Sequence, residues 1–255
     1  VGEAHGGVAT DGGDLAFESD ADNLIGSDGN DVSDIFVKNL TSGTVERVSL
    51  GLVGNQLTRG SENPRLSQDG RFVLFQSIAP DAVFGDTNGC LDVFLRDRQS
   101  GAVECVSRGG SGQFGNADSL ALGLSPDARY VLFLSYASNL GFTDTNQFPD
   151  IFLRDRTLNT LELISGRTDF ETSDGLGYGA NLSDDGRYVV FRVDDSTLSP
   201  GGTNDLFLLD RQTGVRVPLL ASAFGLPAGQ QLEAARISPG GSFLALTAGG
   251  DCGAT

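Results

Sequence analysis

The chain has 255 residues, 39% of them hydrophobic, and its 17 Lys plus Arg stand against 34 Asp plus Glu for a formal charge of −17. That balance repels nucleic-acid phosphates and anionic membrane surfaces and favours cationic partners, whether proteins or metal ions. The apolar share is that of a chain that buries a core, no apolar run approaches the roughly 18 residues of a membrane-spanning helix, and no signal peptide is visible.

Short β-rich segments follow one another along the chain. The first predicted strand lies near His5 to Ala9, then comes a Thr10-Asp11-Gly12 turn and a second strand through Leu15-Ala16-Phe17. A third runs Asp34-Ile35-Phe36-Val37, a turn follows at Asn39 to Gly43, and a fourth strand spans Thr44 to Ser49. The cycle then restarts. Pro64-Arg65-Leu66-Ser67 leads into Asp69-Gly70 and the strand Arg71 to Gln76, followed by Asp92 to Leu95, the turn Asp97 to Gly101, and Ala102 to Ser107. The third cycle gives Tyr130 to Ser135, Asp150 to Leu153 and Leu161 to Ser165; the fourth gives Tyr188 to Arg192, Asp205 to Leu208 and Val215 to Leu220. Gly43, Gly101, Asn159 and Gly214 hold one equivalent place, and these residue types accept the positive φ of a short hairpin loop.

Asp11, Asp69, Asp127 and Asp185 stand 58 residues apart, and Gly240 follows at 55. A fixed period of this size means one supersecondary unit reused, each copy burying its apolar faces against its neighbours. Four antiparallel strands per period and no helical periodicity predict an all-β fold, a β-propeller of four-stranded antiparallel blades, with four full blades and a partial fifth. A two-sheet sandwich has no reason to keep its turn chemistry at constant spacing. The repeats fall at about 1–58, 59–116, 117–174, 175–229 and 230–255 within one propeller domain spanning 1–255.

The phrase Ser125-Pro126-Asp127-Ala128-Arg129-Tyr130-Val131-Leu132-Phe133 resembles the Pro-Asp repeat of TolB-type β-propellers, and the resemblance runs through four full copies and a partial one. It implies a fold more than an activity, because this scaffold serves interaction modules, non-catalytic domains of serine peptidases and a few lyases. Ala128 and Gly240 depart from the Asp-Gly pattern and put those two turns in question. The absence of Trp excludes the Trp-Asp kind of propeller as the nearer relative.

In such a blade the turns between first and second strands and between third and fourth share one face, where they are tight. The other two connections are long and share the opposite face, the expected place for a protein or carbohydrate ligand. Three of the long loops read D-x-N-x-x-x-D: Asp28, Asn30, Asp34; Asp86, Asn88, Asp92; and Asp144, Asn146, Asp150. Alternating oxygen donors, with carbonyls of Val32, Cys90 or Phe148 between them, suit a Ca2+ ion that takes six to eight oxygens. The competing reading is that Asp and Asn sit there as Asx turns. The fourth loop, Gly201-Gly202-Thr203-Asn204-Asp205, has lost the first acid and serves as an internal control.

No catalytic constellation is visible. The single histidine, His5, has no G-x-S-x-G partner motif, and one histidine cannot build the metal centre of a propeller lyase. Arg96-Asp97-Arg98 and Arg154-Asp155-Arg156 read either as a charged rim or, preferably, as an outward-facing strand end opening a turn. Asn39 and Asn181 head glycosylation sequons that arise readily by chance. Cys90, Cys105 and Cys252 share no metal-ligand spacing, and Cys105 is expected beside Phe94 or Leu95, out of reach of Cys90.

The expected function is that of a non-catalytic, calcium-stabilised binding or structural module, secreted, periplasmic or at the cell surface. The alternative is the non-catalytic propeller portion of a larger enzyme, a peptidase or a polysaccharide-active protein. Since the fifth repeat holds two strands only, the ring closes on a half blade, continues in a longer propeller, or self-associates through the open edge; the last two are preferred because open strand edges recruit further strands.

Overall fold

The four β-rich segments of each repeat fold into one antiparallel sheet in chain order. The computed structural model describes residues 6–8, 13–26, 28–142, 149–165, 180–193, 205–226, 231–238 and 240–249. Blade one holds β1 (Gly6–Val8), β2 (Asp14–Ser19), β3 (Asp34–Asn39) and β4 (Val45–Arg47). Blade two holds β5 (Ser61–Leu66), β6 (Phe72–Ser77), β7 (Asp92–Asp97) and β8 (Val103–Cys105). Blade three holds β9 (Ser119–Leu124), β10 (Tyr130–Ser135), β11 (Asp150–Asp155) and β12 (Thr160–Leu163). Blade four holds β13 (Asn181–Leu182), β14 (Tyr188–Val193), β15 (Asp205–Asp210) and β16 (Val215–Leu219), and β17 (Gln231–Ile237) pairs with β18 (Leu244–Gly249) in a two-stranded fifth sheet.

The first strands β1, β5, β9, β13 and β17 pack side by side and form the inner wall, which leaves β4, β8, β12 and β16 outermost. One apolar cluster fills each interface between successive blades. Phe75 and Phe94 pack with Ile35, Val37 and Val48 of blade one. Phe133 and Phe152 meet Leu74 and Leu95 of blade two, and Phe191 and Phe207 meet Leu132 and Leu153 of blade three. In each of the four four-stranded blades the two phenylalanines face each other across the second and third strands, with ring centroids 5.5–6.1 Å apart. Of the eight phenylalanines expected in the core, seven are buried; Phe17 is half-buried because its face of blade one points away from blade two.

The predicted outer strands are longer than the observed ones, for a chemical reason. Ser49 Oγ donates to Asp34 Oδ1 at 2.6 Å and accepts from the Ile35 amide, and Ser107 with Asp92 and Ser165 with Asp150 repeat the arrangement. The serine thus takes over the backbone pairing and turns the chain out of the ladder.

The first turns of the blades are built alike. Ser67 Oγ donates to Asp69, which accepts the Arg71 amide, while the Phe72 amide donates to Ser67 Oγ; Ser125 and Ser183 do the same. Both turns that broke the Asp-Gly pattern nevertheless form. Ala128 takes φ 55° in the place of Gly70, and in blade five Gly241 supplies φ 69° while Gly240 stands where the Asp would be. At Gly186, φ 66°, a Cβ would come within 2.3 Å of the Tyr130 ring. Ala128 shows that a methyl group is tolerated against the equivalent ring, whereas a β-branched side chain at positive φ is not. Gly186→Val is therefore expected to cost about 2–3 kcal/mol in urea denaturation; an unchanged midpoint would contradict the packing.

β17 packs against β13, β14 and β15, and no comparable contact joins β17 or β18 to blade one among the described residues.

Candidate functional site

The three acidic loops are not equivalent. In the first, Arg47 ends the outer strand and its buried guanidinium lies between the two acids, with Nη2 3.0 Å from Asp28 and Nε 3.1 Å from Asp34. Gln56 Nε2 donates to both acids as well, at 2.7 and 3.0 Å. Burial pushes the Asp34 carboxyl above its usual range, and Ser49, Gln56 and Arg47 pull it part of the way back. A fixed cation of the protein's own therefore stands where a calcium ion would have to sit.

In the second loop Cys105 occupies the place of Arg47, since Phe94 pairs with Cys105 as Phe36 pairs with Arg47. Asp86 and Asp92 are buried, and among the described residues neither makes an ion pair. Burial first, and then the Asp92 charge, raise Asp86 to about 6, and burial also raises Asp92. Arg108 acts on both from further away and packs over the Phe114 ring, 3.9 Å from its centroid. Cys105 is held beside Ser107, and burial pushes its thiol up to about 12. Cys90 and Cys105 are both free thiols, as their separation along the strand led one to expect; Cys252 lies outside the described residues.

The asparagines make Asx turns. Asn30 Oδ1 accepts the Val32 amide while its Nδ2 donates to Leu57 O, and Asn88 does the same with the Cys90 amide and Gly115 O. In all three blades the seventh-position acid, Asp34, Asp92 or Asp150, is bonded to its strand-end serine. Asp144, Asn146 and the control loop Gly201 to Asn204 lie outside the described residues, as does His5. Among the described residues no three of His, Cys, Asp or Glu converge in the manner of a metal centre.

The Arg-Asp-Arg motif has a structural job that its sequence showed only in part. Asp97 opens the turn as expected and takes a bidentate pair from Arg71 at 2.9 and 2.7 Å; Arg129 and Asp155, and Arg187 and Asp210, repeat it. The Arg71 fork holds the Asp97 carboxyl far below the usual range. Arg96 and Arg154 were expected to point outwards, but they reach back to carbonyls of the preceding blade, Leu50 O and Val106 O. Arg98, Arg156 and Arg211 each join Glu46, Glu104 or Glu162 of the preceding blade to a first-turn carbonyl of their own blade, that of Gly70, Ala128 or Gly186. Arg156 and Arg211 also cover the rings of Phe72 and Tyr130; where blade one has Asp14 in that place, Arg98 pairs with it at 2.7 Å. The glutamates were overlooked in the sequence although they too recur at 58 residues. The sequon residues Asn39 and Asn181 are engaged in hydrogen bonds to Asp14 and Ile237.

The long-loop face bears a different surface. Its loops expose the large apolar side chains Leu52, Val53, Ile78, Phe84, Tyr136 and Phe224, while Leu40, Leu158 and Phe243 are exposed on the tight turns. A groove of about 410 Å³ beside β8 opens between Leu52, Phe84, Arg108 and Arg154.

No family model matches the sequence, and no curated protein matches it. Solved structures do match its shape. TolB from Acinetobacter baumannii aligns over 94% of this chain and 47% of its own, with 19% identity and a TM-score of 0.53. The β-propeller domain of the trilobed protease from Pyrococcus furiosus, which has an open velcro topology, aligns over 97% of this chain and 66% of its own, with 13% identity and a TM-score of 0.58. The fold is a TolB-like β-propeller. A third propeller match, the acylaminoacyl peptidase from Pyrococcus horikoshii, aligns over 97% of this chain but 36% of its own, with 13% identity and a TM-score of 0.55. The TolB-like chain thus spans about half the length of the TolB it matches. Among the described residues no helix is long and apolar enough to cross a membrane.

Proposed function

We propose that this TolB-like propeller is a non-catalytic binding or structural module, working outside the cytoplasm as the TolB resemblance implies, whose protein or carbohydrate ligand lies on the long-loop face. The observation that carries the reading is the set of exposed apolar side chains on the long loops. The repeated polar residues are committed to turns and clamps between blades, while the long loops carry exposed apolar and aromatic side chains in blades one to four, among them Phe84, which is 92% exposed. Aromatic side chains anchored on a rigid scaffold are the usual source of binding energy at such surfaces. The second reading, a non-catalytic propeller portion of a larger peptidase or polysaccharide-active enzyme, is favoured by the fit to the propeller domain of the trilobed protease.

The test is a glycan and peptide array probed with the purified chain beside turnover assays on chromogenic peptides and polysaccharides. Binding that Phe84→Ser and Tyr136→Ser abolish, without turnover, supports the module. Turnover by the chain alone, or binding indifferent to both substitutions, overturns it.

Calcium stabilisation belongs in this reading to the second loop, where Asp86 and Asp92 are buried and, among the described residues, have no ion-pair partner. Calcium is expected to raise the melting temperature relative to chelator by binding the native state, and Asp86→Asn to abolish the rise. Equal melting temperatures in calcium and chelator would remove the metal from the account.

A further inference from the structure

The groove beside β8 has walls on both sides of that strand. On the side of blade one Val83 shares an apolar cluster with Val103 and Cys105, and Leu52 and Phe84 extend this wall. On the side of blade three stand Arg154 and Arg156 of β11, where Arg156 reaches Glu104. One end of the groove lies at Asn159 in the tight turn of blade three, the other at Gly109, Gly110 and Gly112 of a long loop. The groove therefore follows β8 lengthwise along its free edge, since β8 is the outermost strand of its sheet.

The backbone of that edge is unpaired. The Ala102 carbonyl accepts the Asp97 amide at 2.9 Å, and the Val106 amide donates to Val93 O at 2.8 Å, so both residues bond inwards to β7. Antiparallel pairing alternates along a strand, which turns Glu104 inwards as well and leaves Val103 and Cys105 presenting N–H and C=O outwards. Among the described residues no hydrogen bond reaches those outward groups. An open edge is a property of every outer strand; here it is combined with walls of two kinds. The lining carries three arginines, Arg108, Arg154 and Arg156, against one acid, Glu104, in a chain whose formal charge is −17. The groove is thus a basic place on an acidic molecule, and the apolar wall faces the basic one across the strand.

We propose that this groove takes an extended peptide segment of a partner protein as an added strand on β8, with acidic and apolar side chains in alternation. Successive side chains of a strand point to opposite faces, so one set meets Leu52, Val83 and Phe84 while the other meets the arginines. Main-chain bonds to Val103 and Cys105 fix the register, the mode by which exposed sheet edges capture peptides. This partner rests on the reading of the chain as a binding module and narrows its ligand from protein or carbohydrate to a peptide strand.

The test is fluorescence anisotropy with a labelled heptapeptide of alternating valine and glutamate, beside the same peptide with lysine for glutamate. Saturable binding of the glutamate peptide is expected, weakened about tenfold or more in the lysine peptide. N-methylation of one alternate set of peptide amides should weaken binding about tenfold or more, and methylation of the other set should not, because only one set faces β8. Val103→Pro removes an outward N–H and no ladder bond, as an edge strand allows, and should weaken the peptide likewise; the methylated peptides give the same reading with the protein unaltered. No saturable binding of the glutamate peptide, equal binding of the lysine peptide, or equal effects of the two methylated sets overturns the strand on β8. If the peptide fails while the array returns another ligand, the groove assignment falls and the module reading stands; if neither binds, both fall.

Discussion

Replacing Arg47 with leucine is expected to destabilise the chain by about 3–5 kcal/mol at neutral pH, the range for leaving buried charges without their partner. Arg47 lies between Asp28 and Asp34 with side-chain exposures of 4%, 6% and 0%, so water cannot take over its role. Leucine fits sterically, since Leu163 holds the same register in blade three. The loss is therefore electrostatic, and Arg47→Leu combined with Asp28→Asn should recover much of it, a coupling that a double-mutant cycle measures directly. The dependence on pH has a definite sign. Asp34 is already raised by burial, and losing Arg47 raises it further. A carboxyl raised in the folded state costs stability above its folded pKa, and the cost disappears as pH falls towards the unfolded value of about 4. The gap between variant and wild type in denaturant titrations should accordingly narrow on acidification. A gap below about 1 kcal/mol, or one constant with pH, would mean that the two acids are not held by Arg47 as the geometry states.

How much of this was legible before folding follows from what a repeat can and cannot display. The blades, their order and their turns were legible because period, β-branched runs and residues such as Gly43 or Asn159 each constrain the backbone locally. The resilience of the turn at Ala128 was not, since its Ser125 and Asp127 bonds hold the backbone in a conformation alanine alone resists. The acidic loops were legible as a pattern, yet their chemistry was decided elsewhere. The side chain between Asp28 and Asp34 comes from position 47, and the corresponding positions carry Cys105 and Leu163, so three similar loops face three different environments. The clamps show the same limit. Arg98 and Glu46 are 52 residues apart, and only the packing of one blade on another says that they meet.

Phe94→Ala is expected to cost about 3–5 kcal/mol, the range for emptying a packed aromatic site. Phe94 is fully buried, faces Phe75 with centroids 5.8 Å apart, and lies in the cluster that joins blade two to blade one. The repeat supplies its own comparison. Phe17 and Phe75 hold one repeat position, yet Phe75 is buried against the preceding blade while Phe17 is half-buried. Phe75→Ala should therefore fall with Phe94→Ala, and Phe17→Ala should cost less than half as much, because the solvent-facing part of its ring has little transfer free energy to lose. In a repeat architecture stability is carried by each unit and by the interface to its neighbour. Loss of Phe94 acts on the interface, so amide exchange should accelerate in β3 and β4 of blade one as well as in β6 and β7. Similar penalties for Phe17 and Phe75, or faster exchange confined to blade two, would show that the blades are stabilised one at a time and not through the surfaces they share.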